Sequence, residues 1–447
     1  MTRAAEPRPN FLVILCEDLG WGDVGFNGNK TIRTPNLDTL ASQGARLTAC
    51  YSAAPVCSPA RVGMLTGRTP SRVGVYDWIP GNHPMHMPKE EITVATLLRD
   101  DGYDTGHFGK WHCNGKFNSA DQPQPGDHGF NHWFSTQNNA SPSHENPRNF
   151  VRNGQNVGPI EGYACQIVAD ETIDWLKNKW NRNSPFFAFV CFHEPHEPCA
   201  SPPELVRYYE ERGATKRGEA IYYANVENMD RAVGRLMKAL DDMNLANNTL
   251  VFFTSDNGPE TLNRYRGAWR SHGVTGPLRG MKLWLYEGGI RVPGIVRYPG
   301  LRGVGRGVVI DEPVSGVDVL PTLCDLASVP LPKDRKLDGA SFRPIFSGQP
   351  VERSTPLYWH YFRAFEQPKA AMRVGDYMIL GHWDGPMLGP GGSLRPGDMQ
   401  IIKQSKLTGF ELYNLKADLS QQRDLAKDEP QKLKELSAML VEKYNEV

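Results

Sequence analysis

Apolar runs of six or seven residues recur along this chain, and each stops at a cluster of polar residues. Phe11-Leu12-Val13-Ile14-Leu15-Cys16 leads directly into Glu17-Asp18-Leu19-Gly20-Trp21-Gly22-Asp23. Thr249-Leu250-Val251-Phe252-Phe253-Thr254 leads into Ser255-Asp256-Asn257-Gly258, and Phe186-Phe187-Ala188-Phe189-Val190-Cys191-Phe192 into His193-Glu194-Pro195-His196. Short apolar runs bounded by turn residues predict buried strands. Elsewhere Val226, Met229, Val233, Leu236, Met237 and Leu240 recur at intervals of three and four, the stripe of a helix facing a core. Strands alternating with helices predict a doubly wound α/β sheet, in which the ligand site gathers beyond the carboxyl ends of the strands. All three polar clusters share that address.

After about Gly348 the pattern changes. Residues 357–362 and 370–380 predict antiparallel strands, 389–397 a loop, and 430–444 an amphipathic helix. The 447 residues exceed the roughly 250–300 that one hydrophobic core organises, so a large α/β domain (1–347) and a smaller α+β domain (348–447) are expected.

Lys plus Arg equals Asp plus Glu at 50 each, with no long run of either sign, so nothing favours nucleic acid or an anionic membrane as partner. No early apolar run approaches the ~18 residues of a membrane span, and the polar, Pro-containing start shows no signal peptide. Eight cysteines without C-x-x-C pairs argue against a zinc site or a disulfide framework, and Cys191 and Cys199 are read as free rather than paired.

Chemistry concentrates in Cys57-Ser58-Pro59-Ala60-Arg61. With Ser58 as N-cap and Pro59 at the first helical position, Cys57 falls just ahead of unpaired backbone N–H groups that favour an anion. Arg61 lies one turn along on the same side, which suits a tetrahedral oxyanion; the competing reading is a buried cysteine at a helix start. Glu17, Asp18, Asp256 and Asn257 offer only oxygen ligands, which suit Ca²⁺ or Mg²⁺ rather than zinc. Alone, Asp256-Asn257-Gly258 reads equally as a turn closing a strand. Lys110 and His112, two apart in an extended segment, point the same way. His196 can donate a proton near neutral pH, with His193, nearer the strand, as its rival.

The pentapeptide, its sequel Thr66-Gly67-Arg68, and Gly102-Tyr103-Asp104-Thr105-Gly106-His107-Phe108-Gly109-Lys110-Trp111-His112 resemble the two signatures of the type I, formylglycine-dependent sulfatases, departing only at Phe108. Leu19-Gly20-Trp21-Gly22-Asp23, His128-Gly129-Phe130 and Trp133-Phe134 look most like the N-acetylgalactosamine-6-sulfatases and the arylsulfatase A-like bacterial carbohydrate sulfatases of that family.

The resemblance implies an alkaline-phosphatase-like mixed sheet flanked by helices. It implies a formylglycine made from Cys57 by a formylglycine-generating enzyme, and a Ca²⁺ or Mg²⁺ held by Glu17, Asp18, Asp256, Asn257 and modified Cys57. Relatives usually carry aspartate at the position of Glu17, whose extra methylene leaves direct ligation or a nearby hydrogen bond both open. Lys110 would bind the diol and a sulfate oxygen, and His112 would orient the diol or take its proton. Arg61 would fix the diol, while His196 and Lys282 would serve the departing alcohol. Arg68 would assist Arg61 or be structural; His107 and Glu287-Gly288-Gly289 are read as structural.

The implied activity is hydrolysis of a sulfate ester on a carbohydrate, with 6-O-sulfated galactose or N-acetylgalactosamine first. The stretch 138–155 would recognise substrate, led by Asn138, and Arg264, Arg266, Arg270 and His272 would form a basic cluster facing a polyanionic glycan or solvent. The resemblance implies a periplasmic or secreted protein. The rivals are a phosphoesterase or phosphonate hydrolase of the same superfamily, and a non-enzymatic glycan-binding protein should Cys57 remain a thiol.

Overall fold

A computed structural model describes residues 8–300, 305–366, 368–388 and 397–447. The first apolar run is the central strand, Asn10–Cys16, buried at every position. Phe11, Val13 and Leu15 enter one core while Leu12, Ile14 and Cys16 enter another. Successive strand residues face opposite sides, so a strand covered on both faces has to be apolar throughout. It pairs in parallel with Thr249–Ser255 on one side and Phe186–Cys191 on the other, and the latter pairs in parallel with Asp104–Lys110.

The full sheet runs Val308–Ile310, Ala45–Leu47, Gly294–Arg297, Thr249–Ser255, Asn10–Cys16, Phe186–Cys191, Asp104–Lys110, His132–Thr136, then the short Val151–Arg152 and Gln155–Asn156. Gly294–Arg297 is antiparallel to both neighbours, which makes the sheet mixed. Cys57–Thr66, Val94–Asp100 and Val319–Ala327 cover one face; Pro35–Gln43, Ala164–Asp174 and Glu219–Asp242 cover the other. The expected stripe of Glu219–Asp242 is buried apart from the half-buried Met237. All eight cysteines are buried and free. Among the described residues no helix is long and apolar enough to cross a membrane.

Toward the C-terminus, Leu357–His360, Pro368–Val374, Tyr377–Trp383 and Leu407–Asn414 form an antiparallel sheet. The single strand expected over 370–380 is instead a hairpin, because Gly375 takes φ +58° and reverses the chain. The strand Leu407–Asn414 and helix Asp398–Gln404 were not expected. Most of the expected 389–397 loop, residues 389–396, lies outside the described residues. Pro430–Glu446 lays Leu436 and Leu440 on one face of this small sheet. The other face, through Trp359, Ala371 and Leu380, packs on Tyr51, Cys57 and Leu285 of the larger part. Tyr51 locks the junction: its hydroxyl accepts from Arg291 Nη2 at 2.9 Å and from Arg373 Nη1 of the small sheet at 2.5 Å.

Gly109 shows how tightly the strand ends are fitted. It has φ +98°, and a Cβ there would lie 1.9 Å from the Cys191 carbonyl oxygen. Gly109→Ala should therefore lower stability by about 3 kcal/mol or more, read as a falling midpoint in urea unfolding. A near-neutral result would contradict the close approach.

Candidate active site

The polar clusters meet where the strands end. Glu17, fully buried, accepts from both Lys110 Nζ and Arg61 Nη2. Arg61 Nη2 also donates to Asp256 Oδ2 at 3.1 Å, and its Nη1 to the Lys110 carbonyl at 2.8 Å. Asp18 pairs with Lys282 Nζ at 2.8 Å, accepts from Asn257 Nδ2 at 2.7 Å, and lies 3.6 Å from His196 Nε2. The Asp18 backbone N–H donates to Asp256 Oδ1 at 3.1 Å. Three buried carboxylates thus face three buried cations, the condition under which desolvated charges are tolerated.

The charges set one another's protonation. Burial alone would raise the Glu17 carboxyl, but Lys110 and Arg61 outweigh it and hold Glu17 well below the ordinary carboxylate range. Burial pushes Asp256 well up, reinforced by the charge of Glu17 and opposed by Arg61. Burial likewise raises Asp18, against the pull of Lys282. Against burial, Asp18 and Glu260 push Lys282 well above the usual lysine range. Burial lifts the Cys57 thiol to about 12, so an unmodified Cys57 stays protonated at neutral pH.

Cys57 is the first residue of the helix Cys57–Thr66, and the N-cap position falls on Val56. The expected Ser58 cap is therefore corrected by two residues: Ser58 Oγ accepts from the Ile79 backbone N–H at 3.0 Å instead of capping its own helix. Gly67, at φ +68°, closes that helix. Arg68 turns away to Glu91 and the Lys336 carbonyl, a structural role.

Lys110 and His112 do converge, but not by strand alternation. The strand stops at Lys110, and His112, at φ +53°, swings back toward Cys57. One ring nitrogen of His112, Cys57 Sγ and a Glu17 oxygen lie within 4.8 Å of one another. His112 Nε2 lies 3.0 Å from the Ile79 carbonyl, which can only accept; Nε2 therefore carries the proton, and Nδ1, buried without a partner, presents its lone pair. Asp18 (φ +57°) and Leu283 (φ +72°) are also left-handed, so three non-glycine residues at the site hold conformations costing on the order of 1 kcal/mol or more each.

His196 Nδ1 donates to the Glu197 carbonyl at 2.6 Å, leaving Nε2 toward Asp18. Burial, helped by Lys282 and Lys110, lowers it to about 3, so it is neutral while no anion is bound. His193 is spent on Thr136 Oγ1 at 2.8 Å and does not line the cavity. His107 is structural, bonded to Ser135 Oγ at 2.7 Å and packed on Trp111, Phe130 and Phe189. Behind the site the turn Glu287–Ile290 backs Asn257: Gly258 N–H donates to the Gly289 carbonyl at 3.0 Å, and a Cβ on Gly258 would lie 1.9 Å from the Gly288 carbonyl oxygen.

The residues fit a hard cation. Asn257 Oδ1 is buried with no partner, beside carboxylates that burial drives toward protonation, and oxygens of Glu17 and Asp18 lie within 4.8 Å of a His196 nitrogen.

Above Cys57 opens a cavity of about 770 Å³. Its floor is Cys57, His112, His196 and Lys282, with Asn138 and Asn139 beside them. Trp78, Tyr265, Tyr361, Phe365 and Met387 form the walls, and none of these was anticipated, since no motif marks them. From the 138–155 stretch only Asn138 and Asn139 reach the cavity; Asn149 buttresses Asn139 and Arg152 pairs with Glu171. The basic cluster is also corrected. Arg270 is committed to Glu197, His272 faces the Arg217 carbonyl at 2.9 Å, and of the four only Arg264 lines the cavity.

A family model described as Sulfatase matches residues 9–329, and one described as N-sulphoglucosamine sulphohydrolase, C-terminal, matches residues 281–381. The chain belongs to the sulfatase family and is a sulfuric ester hydrolase. It is 32% identical to steryl-sulfatase of Rattus norvegicus, over 80% of this chain and 74% of the relative. It is 33% identical to N-acetylgalactosamine-6-sulfatase of Canis lupus familiaris, over 83% of this chain and 71% of the relative. The crystal structure of Ps i-CgsB in complex with k-i-k-neocarrahexaose superposes with a TM-score of 0.79 at 25% identity, covering 97% of this chain and 94% of that one.

Glu17 is the charge that Arg61 and Lys110 share. Glu17→Gln should cost the metal-free protein about 3–5 kcal/mol in urea unfolding at pH 7, because two buried cations lose their counter-ion. A loss below about 1 kcal/mol would show that Asp256 alone suffices for Arg61.

Proposed function

We propose that this sulfatase cleaves a sulfate ester from a carbohydrate, with 6-O-sulfated galactose or N-acetylgalactosamine as first candidate. It does so with a formylglycine made from Cys57 and one divalent cation, Ca²⁺ ahead of Mg²⁺. The observation that carries the reading is Cys57 at a helix start, on the floor of a cavity, within reach of His112 and beside the Glu17–Lys110–Arg61 and Asp18–Lys282 pairs. The sugar is supported by two side-chain amides facing aromatic walls, which suit a ring with polar edges and apolar faces. It is also supported by the names of the galactosamine-sulfatase relatives and of the oligosaccharide complex.

Glu17, Asp18, Asp256, Asn257 and modified Cys57 would hold the cation, which supplies positive charge for the sulfuryl oxygens. One hydroxyl of the hydrated aldehyde attacks sulfur as the S–O bond to the sugar alcohol breaks; the second then gives up its proton and forms the C=O bond of the regenerated aldehyde, expelling sulfate by breaking the bond between carbon and the first oxygen. The Nδ1 lone pair of His112 accepts the proton from residue 57. Arg61 keeps the first helical turn in place from below, and Lys110 offers its ammonium to a sulfate oxygen. On the leaving-group side, His196 Nε2 takes up a proton when an anionic ester sits beside it and passes it to the departing alcohol. Lys282 steadies the negative charge developing there.

The helix Cys57–Thr66 is buried along its whole length, so a formylglycine-generating enzyme must read Cys57–Arg61 before folding closes. We place the division between the two parts of the chain at 347/348, and the protein in the periplasm or outside the cell.

Mass spectrometry of the Cys57 peptide should show the aldehyde in active protein, and Cys57→Ser, with a single hydroxyl, should retain under about 1% of turnover. On 6-O-sulfated N-acetylgalactosamine, kcat/KM should exceed that on p-nitrophenyl sulfate. Full activity with an intact thiol would defeat the mechanism, and a preference for the aryl ester over every sulfated sugar would defeat the substrate. Chelation should abolish turnover, with Ca²⁺ or Mg²⁺ restoring it. Asp256→Ala should be far more damaging than Glu17→Asp, and equal losses would refute the ligand set.

A further inference from the structure

We propose that Arg264 recognises a second oxyanion on the substrate, a carboxylate or a sulfate carried by the same sugar or its neighbour, so that the preferred substrate is a polyanionic glycan. This rests on the carbohydrate reading above. Two donors of the guanidinium are clamped by one buried carboxylate: Nε and Nη2 donate to Glu260 Oε1 and Oε2, each at 2.6 Å. Nη1 makes no hydrogen bond to any described residue. The side chain remains 30% exposed and lines the cavity that holds Cys57, His196 and Lys282.

Its orientation is fixed from three sides. Glu260 sets the plane of the fork, while Tyr265 and Phe365 bracket it, their ring centroids 5.0 and 5.8 Å from Cζ. Such a guanidinium loses little further freedom when an oxyanion docks, and its free edge matches the planar geometry of a carboxylate or two oxygens of a sulfate. Glu260 also lies 3.8 Å from Lys282 Nζ, which ties Arg264 at a set distance to the leaving-group side of the site. The other arginine of the wall, Arg363, donates to Asp77 at 2.7 Å.

The test compares three substrates: 6-O-sulfated N-acetylgalactosamine, its 4,6-disulfated counterpart, and the 6-O-sulfated sugar linked to glucuronic acid. The protein should favour at least one doubly anionic substrate by about tenfold to a hundredfold in kcat/KM, mainly through KM. Which of the two is favoured tells sulfate from carboxylate. Arg264→Gln should bring that preference to within about twofold, and Arg264→Lys should keep part of it, because charge remains while the fork is lost. The preference should also weaken with added salt in the unaltered protein and much less in Arg264→Gln.

A purely structural role in neutralising Glu260 predicts a parallel loss on all three substrates with the preference intact, and that result overturns the proposal. So does the absence of any preference in the unaltered protein. Hydrolysis of p-nitrophenyl sulfate with none of the three sugars turned over would instead refute the carbohydrate reading, and this inference with it.

Discussion

Glu17 shares one buried carboxylate between Arg61 and Lys110, and much of the structure serves to make that arrangement tolerable. Neither cation has enough water to be stable alone, and the carboxylate is fully enclosed. The three groups come from three elements: the end of the central strand, the second turn of the helix Cys57–Thr66, and the end of Asp104–Lys110. Their charges can cancel only if strand register and helix position are fixed together. The charge cluster therefore constrains the fold as much as the fold builds the cluster.

That dependence explains the strain and close fitting around it. Asp18 and Leu283 take left-handed backbones directly after Glu17 and Lys282, whose side chains are committed to the cluster, and His112 does so directly after Trp111, whose ring is anchored in the apolar core. Gly109 and Gly258 let backbones pass at distances no side chain permits. Asp256 and Asn257 are then held against the turn Glu287–Ile290, which is anchored through Tyr51, Arg291 and Arg373 to the small sheet. Backbone energy spent at these positions is offset by the two apolar cores on either face of the sheet.

What could be read from the chain follows from what leaves a local trace. Unbroken apolar runs announced the central strands, since burial on both faces imposes a pattern a sequence cannot hide. Cys57, Arg61, Lys110, His112, His196 and Lys282 lie in short motifs, and the structure brings them together. Asn138 was picked from a polar stretch, and its neighbour Asn139 passed unnoticed. Ser58 was misplaced because a serine before a proline looks like a cap whether or not the helix starts there, and the Ile79 backbone that claims its hydroxyl is remote in sequence. The basic cluster failed for a related reason. Four cationic side chains within nine residues suggest one surface, yet Arg270 and His272 are drawn to partners the sequence does not place beside them.

The aromatic wall left no trace at all, and it bears most directly on what the site can hold. Tyr361, Phe365 and Met387 come from the small sheet's connections, so that side of the cavity exists only because the sheet docks on Tyr51 and Cys57. The connection that carries Tyr361 and Phe365 is held by Lys369, whose ammonium donates to the Ala364 and Glu366 carbonyls at 2.6 and 2.8 Å. Burial there lowers Lys369 to about 8. Charge chemistry at the floor is thus supplied by the larger part alone, while the walls above it are shared between Trp78 and Tyr265 of that part and Tyr361, Phe365 and Met387 of the smaller one. Floor groups held by an internally neutral cluster do not depend on the walls for their charge balance, which leaves the walls free to set what the cavity admits; proteins named for steroid and for sugar substrates resemble this one to nearly the same degree.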